Sequence, residues 1–568
     1  MKKPKIYRLG SDISYRVKRV DINASNKILE KARARLMLTC VFFLLLFLVI
    51  VYRMFEVSTN ETPTYVLNTP GVHPLELHMQ RADILDRNGV VIATSLPVVN
   101  LYARPKLLKD AQQAARDLSS IFPELSYDVL IARLSQDKNF VYIKRNLTPD
   151  EQYEVNKLGN PALNFEKSEK RVYPQGRLFS HVVGFVDIDN NGMSGIEYSF
   201  NRALQESNIP LRLSLDVAVQ DAVRVQLKEA MDLFGAEDAI AAVINVNNGE
   251  ILSLVSLPDF DSNNISSTPQ NHLFNKATLG VYETGSVFKL FNTAMALESG
   301  KIKPTDSFDA TKPMTLGKHT IKDFYAKNKW LNVEDILVHS SNIGSARMAL
   351  LVGGDGQQEF LENLGFFAEL PLEIGEKAKP LRPSIWRDIN VATISYGYGL
   401  AVSPMHVLIA MSAMVNGGLL YSPTLFLTRD DELSPTRVIS EKTSANLRNF
   451  MRQVVERGSA RMADTKGYYV GGKTGSAQLR ENGRYVEGKL RTTFIGAFPI
   501  NAPKYGIIVS LNNPKKIEGT YGNTSGWNAT PTAGRIIEKI APILDIMPDQ
   551  EYQQTITKQI IEANFTTD

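Results

Sequence analysis

The chain has 568 residues, with 64 Lys or Arg against 60 Asp or Glu and one cysteine, Cys40. A net charge of only +4 gives no chain-wide attraction for nucleic acid. One thiol excludes a disulfide framework and a thiolate metal site, so the fold must rest on ordinary apolar cores. The basic residues are unevenly spread: residues 1–35 hold eleven Lys or Arg against three acids, which leaves the remainder slightly acidic.

An uncharged apolar run, Leu36 to Tyr52, follows that basic tail and is closed by Arg53. At about 1.5 Å per residue, the run with Met54, Phe55 and snorkelling arginines spans a hydrocarbon layer of roughly 30 Å. Residues 36–55 are therefore expected to anchor the chain in a bilayer. The basic tail, 1–35, then stays in the cytoplasm and the large carboxy-terminal part is exported. A cleaved signal peptide would have a shorter apolar region and small residues after it. Here Tyr52-Arg-Met-Phe-Glu56 follows instead. Cys40 falls inside the anchor.

The exported part is long enough for two or more domains, and a boundary is expected near residue 215. The first section, 56–215, contains Arg81-Ala-Asp-Ile-Leu-Asp-Arg-Asn-Gly89, where Asn88-Gly89 signals a hairpin turn between apolar runs. A charged, helix-like stretch covers about 105 to 160. Arg171 to Pro174, Val182 to Gly184 and Gly195-Ile-Glu197 read as short strands and turns. Asp83, Asp86 and Glu197 are best taken as turn and capping residues of a scaffold, not as a carboxylate site.

The second section, 216–548, opens with a short strand at Leu213 to Asp216 and an amphipathic run to about 233. Ala241–Val246 and Ile251–Ser256 flank Asn247-Asn-Gly249 as a β-hairpin with a buried face. A largely helical middle reaches about residue 420. Strands are expected at Tyr468–Lys473, Thr492–Phe498 and Tyr505–Leu511, a helix at Thr532–Ile546, and a polar tail at 549–568. Strands at both ends with helices between them indicate an α+β fold: an antiparallel sheet, a helical lobe, and a cleft where they meet.

Chemistry enters at Tyr282-Glu-Thr-Gly-Ser-Val-Phe-Lys-Leu290. The spacing of Ser286 and Lys289 puts both side chains on one helical face, one turn apart. A buried amine there loses its proton readily and can act as base for the hydroxyl. Alone, the pattern has an ordinary alternative, a solvent-facing lysine on a helix. Its company decides: Ser340-Ser-Asn342 follows about 50 residues later, and Lys473-Thr-Gly475-Ser476 about 130 beyond that. In this order the three motifs resemble the signature of penicillin-binding proteins and related serine β-lactamases.

The surrounding pattern resembles class B penicillin-binding proteins, with a single anchor, a non-catalytic (dimerisation-like) pedestal and a transpeptidase domain. Arg81–Gly89 and Gly195-Ile-Glu197 carry the pedestal likeness. Ser340–Gly344, Arg491–Pro499 and Gly526–Gly534 are most similar to the division-specific member. Three positions depart from common family patterns: Ser341 where many β-lactamases have Asp, Ser476 where Thr is more usual, and Tyr398 where Gln is frequent.

The resemblance implies a peptidoglycan D,D-transpeptidase of septal wall synthesis, and a target of β-lactams. Ser286 attacks the penultimate D-Ala of a D-Ala-D-Ala stem and Lys289 takes its proton, its ammonium disfavoured by burial and by the cation of Lys473. Ser340 relays a proton to the leaving amine and Asn342 holds the donor amide. Lys473, Thr474 and Ser476 bind the terminal carboxylate, Gly475 leaves room for substrate along the strand edge, and the backbone N–H groups of Ser286 and Ser476 form the oxyanion hole. No cofactor and no metal are expected, and the seven histidines have no ligand spacing. The implied partners are stem peptides, β-lactams, the bilayer, a glycosyltransferase and other division proteins. The implied location is the inner membrane at the division site, with the catalytic part in the periplasm.

Other classes were weighed. A β-lactamase needs a second base for deacylation, and no motif places one. A penicillin-sensing receptor needs several spans and a cytoplasmic effector. An elongation-type transpeptidase and a non-catalytic division scaffold remain as alternatives, the latter disfavoured by three intact motifs.

Overall fold

The computed structural model describes residues 34–38, 41–52, 81–481 and 483–549. The basic tail up to residue 33, Cys40, the end of the anchor at 53–55, the opening of the pedestal to residue 80 and the tail from 550 lie outside the described residues.

Helix α1, Ala34–Tyr52, is 19 residues long, about 28 Å at helical rise, and its described side chains are exposed. That is the length and composition of one membrane span.

Residues 81–549 begin with β1 (Ile84–Leu85) and β2 (Val91–Ala103), joined by the turn in which Gly89 takes φ +86°. That left-handed angle is open to glycine at no steric cost, as a hairpin turn requires. Asp86 closes the turn by accepting from the N–H groups of Asn88 and Val90. Next come α2 (Ala111–Ile121), α3 (Tyr127–Leu134), β3 (Val141–Leu147), α4 (Pro149–Lys157) and β4 (Leu163–Val172). Strand β2 pairs antiparallel with β1, β3 and β4 along its length. The stretch expected to be helical thus contains β3, whose Lys144-Arg-Asn146 centre hid an inward-facing Ile143 and Leu147. α2, α3 and α4 pack with β2 and β3 around a small core of Leu101, Leu118, Phe122, Leu130 and Ile143.

Residues 180–206 form three short helices, α5 (Ser180–Val183), α6 (Gly195–Ser199) and α7 (Asn201–Glu206), not the strands expected. Local alternation there was too short to carry a period. Strand β5 (Leu211–Arg212) pairs parallel with β1. The strand expected to run on to Asp216 stops because Asp216 is the N-cap of α8 (Val217–Leu233), accepting from the N–H groups of Ala218 and Val219.

The larger sheet contains β6 (Asp238–Asn245) and β7 (Ile251–Leu257), a hairpin as expected. After a 3₁₀ turn at Gly285–Phe288 comes α9 (Lys289–Glu298). Two small antiparallel ladders interrupt the helical lobe: β8 (Ser307–Asp309), β9 (Met314–Leu316), β10 (His319–Ile321) and β11 (Trp330–Asn332), paired β8 with β11 and β9 with β10. The lobe continues with α10 (Val333–Val338), α11 (Asn342–Val352), α12 (Gly354–Asn363), α13 (Asp388–Ser395) and α14 (Pro404–Val415). A two-stranded ladder, β12 (Leu419–Leu420) and β13 (Thr436–Arg437), precedes α15 (Glu441–Arg457). Then come β14 (Gly471–Glu481), β15 (Arg484–Phe498), β16 (Tyr505–Asn512) and α16 (Ala529–Ile543).

The sheet order is β14-β15-β16-β6-β7, antiparallel throughout, so β14 is an edge strand. Its central strands are buried on both faces, with α8 and α16 on one side and the helical lobe on the other. One continuous core runs from Ile84, Ile92, Val182 and Ile196 through the sheet to Ile540. The outer part of the first section, around Phe122, has a core of its own.

Candidate active site

The three motifs come from separate elements and meet at four side chains. Ser286 lies in the 3₁₀ turn before α9 and Lys289 is the first residue of that helix. The tighter turn brings i and i+3 nearly into line, and Lys289 Nζ sits 2.8 Å from Ser286 Oγ. Ser340 occupies the corner between α10 and α11. Its φ is +58°, a left-handed angle costly for a residue with a Cβ. The strained corner aims both polar atoms at the lysines: Ser340 O is 2.6 Å and Ser340 Oγ 3.1 Å from Lys289 Nζ. Lys473, on the edge strand β14, brings its Nζ to 3.1 Å from the same Ser340 Oγ and 3.0 Å from Thr474 O.

Both lysines are fully buried. Among the described residues neither has a carboxylate in ion-pair contact. Burial holds the Lys289 amine well below the usual lysine range, the Lys473 ammonium pushes the same way, and Asp323 opposes them. Burial also brings Lys473 down to about 7, so its charge is not the fixed cation that the sequence suggested. A neutral Lys289 amine has one lone pair and two N–H bonds. In that state the three contacts are met by the lone pair accepting from Ser286 O–H and the N–H groups donating to Ser340 O and Oγ; as an ammonium, Nζ donates to all three oxygens.

The remaining motif residues are held by partners that local sequence does not reveal. Thr474 Oγ1 shares a 2.6 Å hydrogen bond with Ser459 Oγ, and Ser476 Oγ accepts from Ser525 N at 3.0 Å. Asn342 Nδ2 donates to Lys322 O, and Ser341 Oγ donates to Asp323 Oδ2 at 2.7 Å while capping α11 through Gly344 N. Asp323 also accepts from Ile343 N. The hydroxyl at position 341 is therefore an N-cap and a handle for Asp323, a residue that belongs to no motif.

Gly475 has a packing reason of its own. A Cβ there would lie 2.4 Å from Thr284 O and 2.8 Å from Val287 Cγ2. The missing side chain lets β14 press against the turn that bears Ser286. Gly397 makes the matching approach from the other side, where a Cβ would be 2.0 Å from Gly285 O. The Ser286 turn is thus clamped between two glycines.

Tyr398, beside that second glycine, donates nothing to Ser286. Its hydroxyl accepts from Gln478 N at 3.2 Å, at the free edge of β14. Backbone direction alternates along a strand, so the N–H of Ser476, two residues earlier, also faces the open edge. Glu283, just before the Ser286 turn, accepts from Gly399 N and from the Tyr485 hydroxyl, and lies 3.5 Å from Arg480. The carboxylates of the first section play structural parts: Glu197 is gripped by Arg81 and Arg171 at 2.6 and 2.7 Å, and Asp86 also accepts from Val217 N.

A half-buried hydroxyl facing a fully buried amine held well below the usual lysine range, with a second buried lysine 3.1 Å from the Ser340 hydroxyl, is equipped for acyl transfer. Comparison with known proteins agrees. Residues 239–538 match the family described as penicillin binding protein transpeptidase domain, and residues 77–208 match the penicillin-binding protein dimerisation domain. The chain is 36% identical over 481 residues to the probable peptidoglycan D,D-transpeptidase FtsI of Caulobacter vibrioides, covering 82% of each. It is 33% identical over 501 residues to the probable peptidoglycan D,D-transpeptidase PenA of Neisseria meningitidis, covering 82% of this chain and 85% of that one. A peptidoglycan synthetase from Bifidobacterium adolescentis shares the fold, with a TM-score of 0.67 at 22% identity over 83% of this chain and 96% of the other.

Proposed function

The chain belongs to the penicillin-binding protein transpeptidases, and from that premise we propose that Ser286 is the nucleophile of a peptidoglycan D,D-transpeptidase working in septal wall synthesis. The observation that carries the assignment of Ser286 is the 2.8 Å contact between its Oγ and the fully buried Nζ of Lys289. Lys289 takes the Ser286 proton as Oγ bonds to the carbonyl carbon of the penultimate D-Ala. The oxygen of that carbonyl, now negative, is met by the N–H groups of Ser286 and Ser476, each worth roughly 3–4 kcal/mol in such a role. As the C–N bond breaks, Ser340 passes a proton to the departing D-Ala amine and recovers one from Lys289 or Lys473. The amine of a second stem then attacks the ester, its proton returns through the same relay to Ser286 Oγ, and an amide replaces the ester.

Lys473, Thr474 and Ser476 receive the donor's terminal carboxylate, and Asn342 its amide. A β-lactam imitates this donor and remains on Ser286. The proposed organisation is a basic cytoplasmic tail (1–35), an anchor (36–55), a pedestal (56–215), a transpeptidase domain (216–548) and a tail (549–568). The catalytic part lies outside the inner membrane at the division site, beside a glycosyltransferase and other division proteins. Mass spectrometry after β-lactam treatment is expected to find the drug esterified to Ser286, with Ser286→Ala unlabelled. Labelling of another serine, or none where a known target reacts, would end the assignment.

A further inference from the structure

The excursion between β8 and β11 carries an exposed surface that the catalytic steps do not use. Within seven residues it presents Phe324, Tyr325 and Trp330, exposed at 78%, 70% and 62%. Phe324 and Tyr325 pack edge to face with centroids 4.8 Å apart. Lys322, Lys327 and Lys329 stand exposed among them. An aromatic group this bare on a folded protein marks a place where something docks.

The surface is rigidly tied to the site. Asn342 Nδ2 donates to Lys322 O at 2.8 Å, while Asp323 accepts from Ser341 Oγ at 2.7 Å and from Ile343 N at 3.0 Å. The far end of the excursion is held by pairing of β11 with β8, and β11 leads directly into α10 and the Ser340 corner. Burial holds His339, the neighbour of Ser340, below its ordinary value. Lys327, Lys329 and Arg457 push the same way against Asp335.

Resting on the transpeptidase reading above, we propose that residues 322–330 form the docking surface for the acceptor strand of peptidoglycan. Lys473, Thr474 and Ser476 line the β14 rim, which the donor's carboxylate takes. The amine must then arrive from another side, and the Ser340 corner carries this surface. The ligand chemistry fits: pyranose rings offer C–H faces to bare aromatic rings, and stem carboxylates offer negative charge to the lysines. The same composition suits an anionic lipid surface, but lipid contact would not require three hydrogen bonds into the catalytic corner.

The test uses the full chain in detergent micelles, the triple variant Phe324→Ala/Tyr325→Ala/Trp330→Ala and the charge variant Lys327→Glu/Lys329→Glu. Labelling of Ser286 by a fluorescent penicillin reads the donor half-reaction and reports folding; it should stay within about twofold of the parent. Cross-linking is then followed against the concentration of soluble, uncross-linked strands bearing stem peptides. Each variant should need about tenfold more strand for half-maximal rate, with restoration by Phe324→Tyr/Tyr325→Phe/Trp330→Phe. An unchanged dependence on strand overturns the proposal. So does a response only to phosphatidylglycerol doped into the micelles, or loss of labelling in parallel with cross-linking in both variants and in the conservative one. Failure of the parent itself to label at Ser286 would strike the underlying transpeptidase reading instead.

Discussion

Two of the places where the chain buries basic side chains treat them in opposite ways. In the first section Arg81 and Arg171 share Glu197, each through its Nε, and further donors reach Glu197 O, Asn201 Oδ1 and Arg81 O. In the cleft, Lys289 and Lys473 are equally buried, but they meet hydroxyls and carbonyls, with no carboxylate in contact. A buried charge matched by a carboxylate and fixed by hydrogen bonds keeps its charge and holds geometry. A buried lysine without one sheds its proton and becomes a base. Residue choice follows: arginine, which does not deprotonate, where structure is needed, and lysine where a proton must move.

Each expected outcome tests that contrast. Lys289→Met should slow acylation of Ser286 by about 10²–10⁴-fold, read by penicillin labelling kinetics, without lowering the melting temperature. A melting temperature that fell would mean that the amine is structural after all. Glu197→Ala should do the reverse and cost about 3–5 kcal/mol of stability, because it strands two buried guanidinium groups. Denaturant titration measures that loss, and labelling rates at temperatures where the variant is folded should match the parent. Gly475→Ala should cost about 1–3 kcal/mol and impair labelling together, since its Cβ would push Thr284 and with it the Ser286 turn. Loss of carboxylate-substrate binding with labelling by a neutral ester intact would support the reading of Gly475 as substrate room.

The smallest effect concerns pH. Burial holds the Lys289 amine well below the usual lysine range, and labelling should rise with pH as that amine deprotonates. Lys473 is cationic below about 7 and neutral above it. The kcat/KM for a carboxylate-bearing β-lactam should therefore decline as pH rises through about 7, while an uncharged acylating agent should not show the decline. A profile that stays flat to pH 9 with both reagents would mean that Lys473 remains charged or does not meet the carboxylate.

Much of the larger sheet was legible because its strands are long and apolar and its hairpin turn is Asn-Asn-Gly249. The helical residues of α8 showed their period, and the glycine turn at Gly89 announced the first hairpin. Less could be read where elements are short: α5, α6 and α7 have four to six residues each and are set by packing onto the shared core. Strand β3 was masked by Lys144, Arg145 and Asn146, three half-buried polar residues in a row on an edge strand. At the site, Ser286, Lys289, Ser340 and Lys473 were all identified as residues, and the fold brings them together. Asp323, Ser459 and Ser525 were not identified, since each acts on a motif residue from 15 or more positions away and sits in no pattern of its own.

Sequence by itself determined which side chains carry the chemistry, their order, the apolar span at the amino end and the class of fold. These depend on residue type and on spacing within a turn or a strand. Tertiary structure decided what those side chains are: that burial holds the Lys289 amine well below the usual lysine range and brings Lys473 down to about 7, and that Gly475 lets β14 pack against the turn of Ser286. Desolvation and close approach are set by atoms brought together from 50 to more than 130 residues away. No local pattern records them.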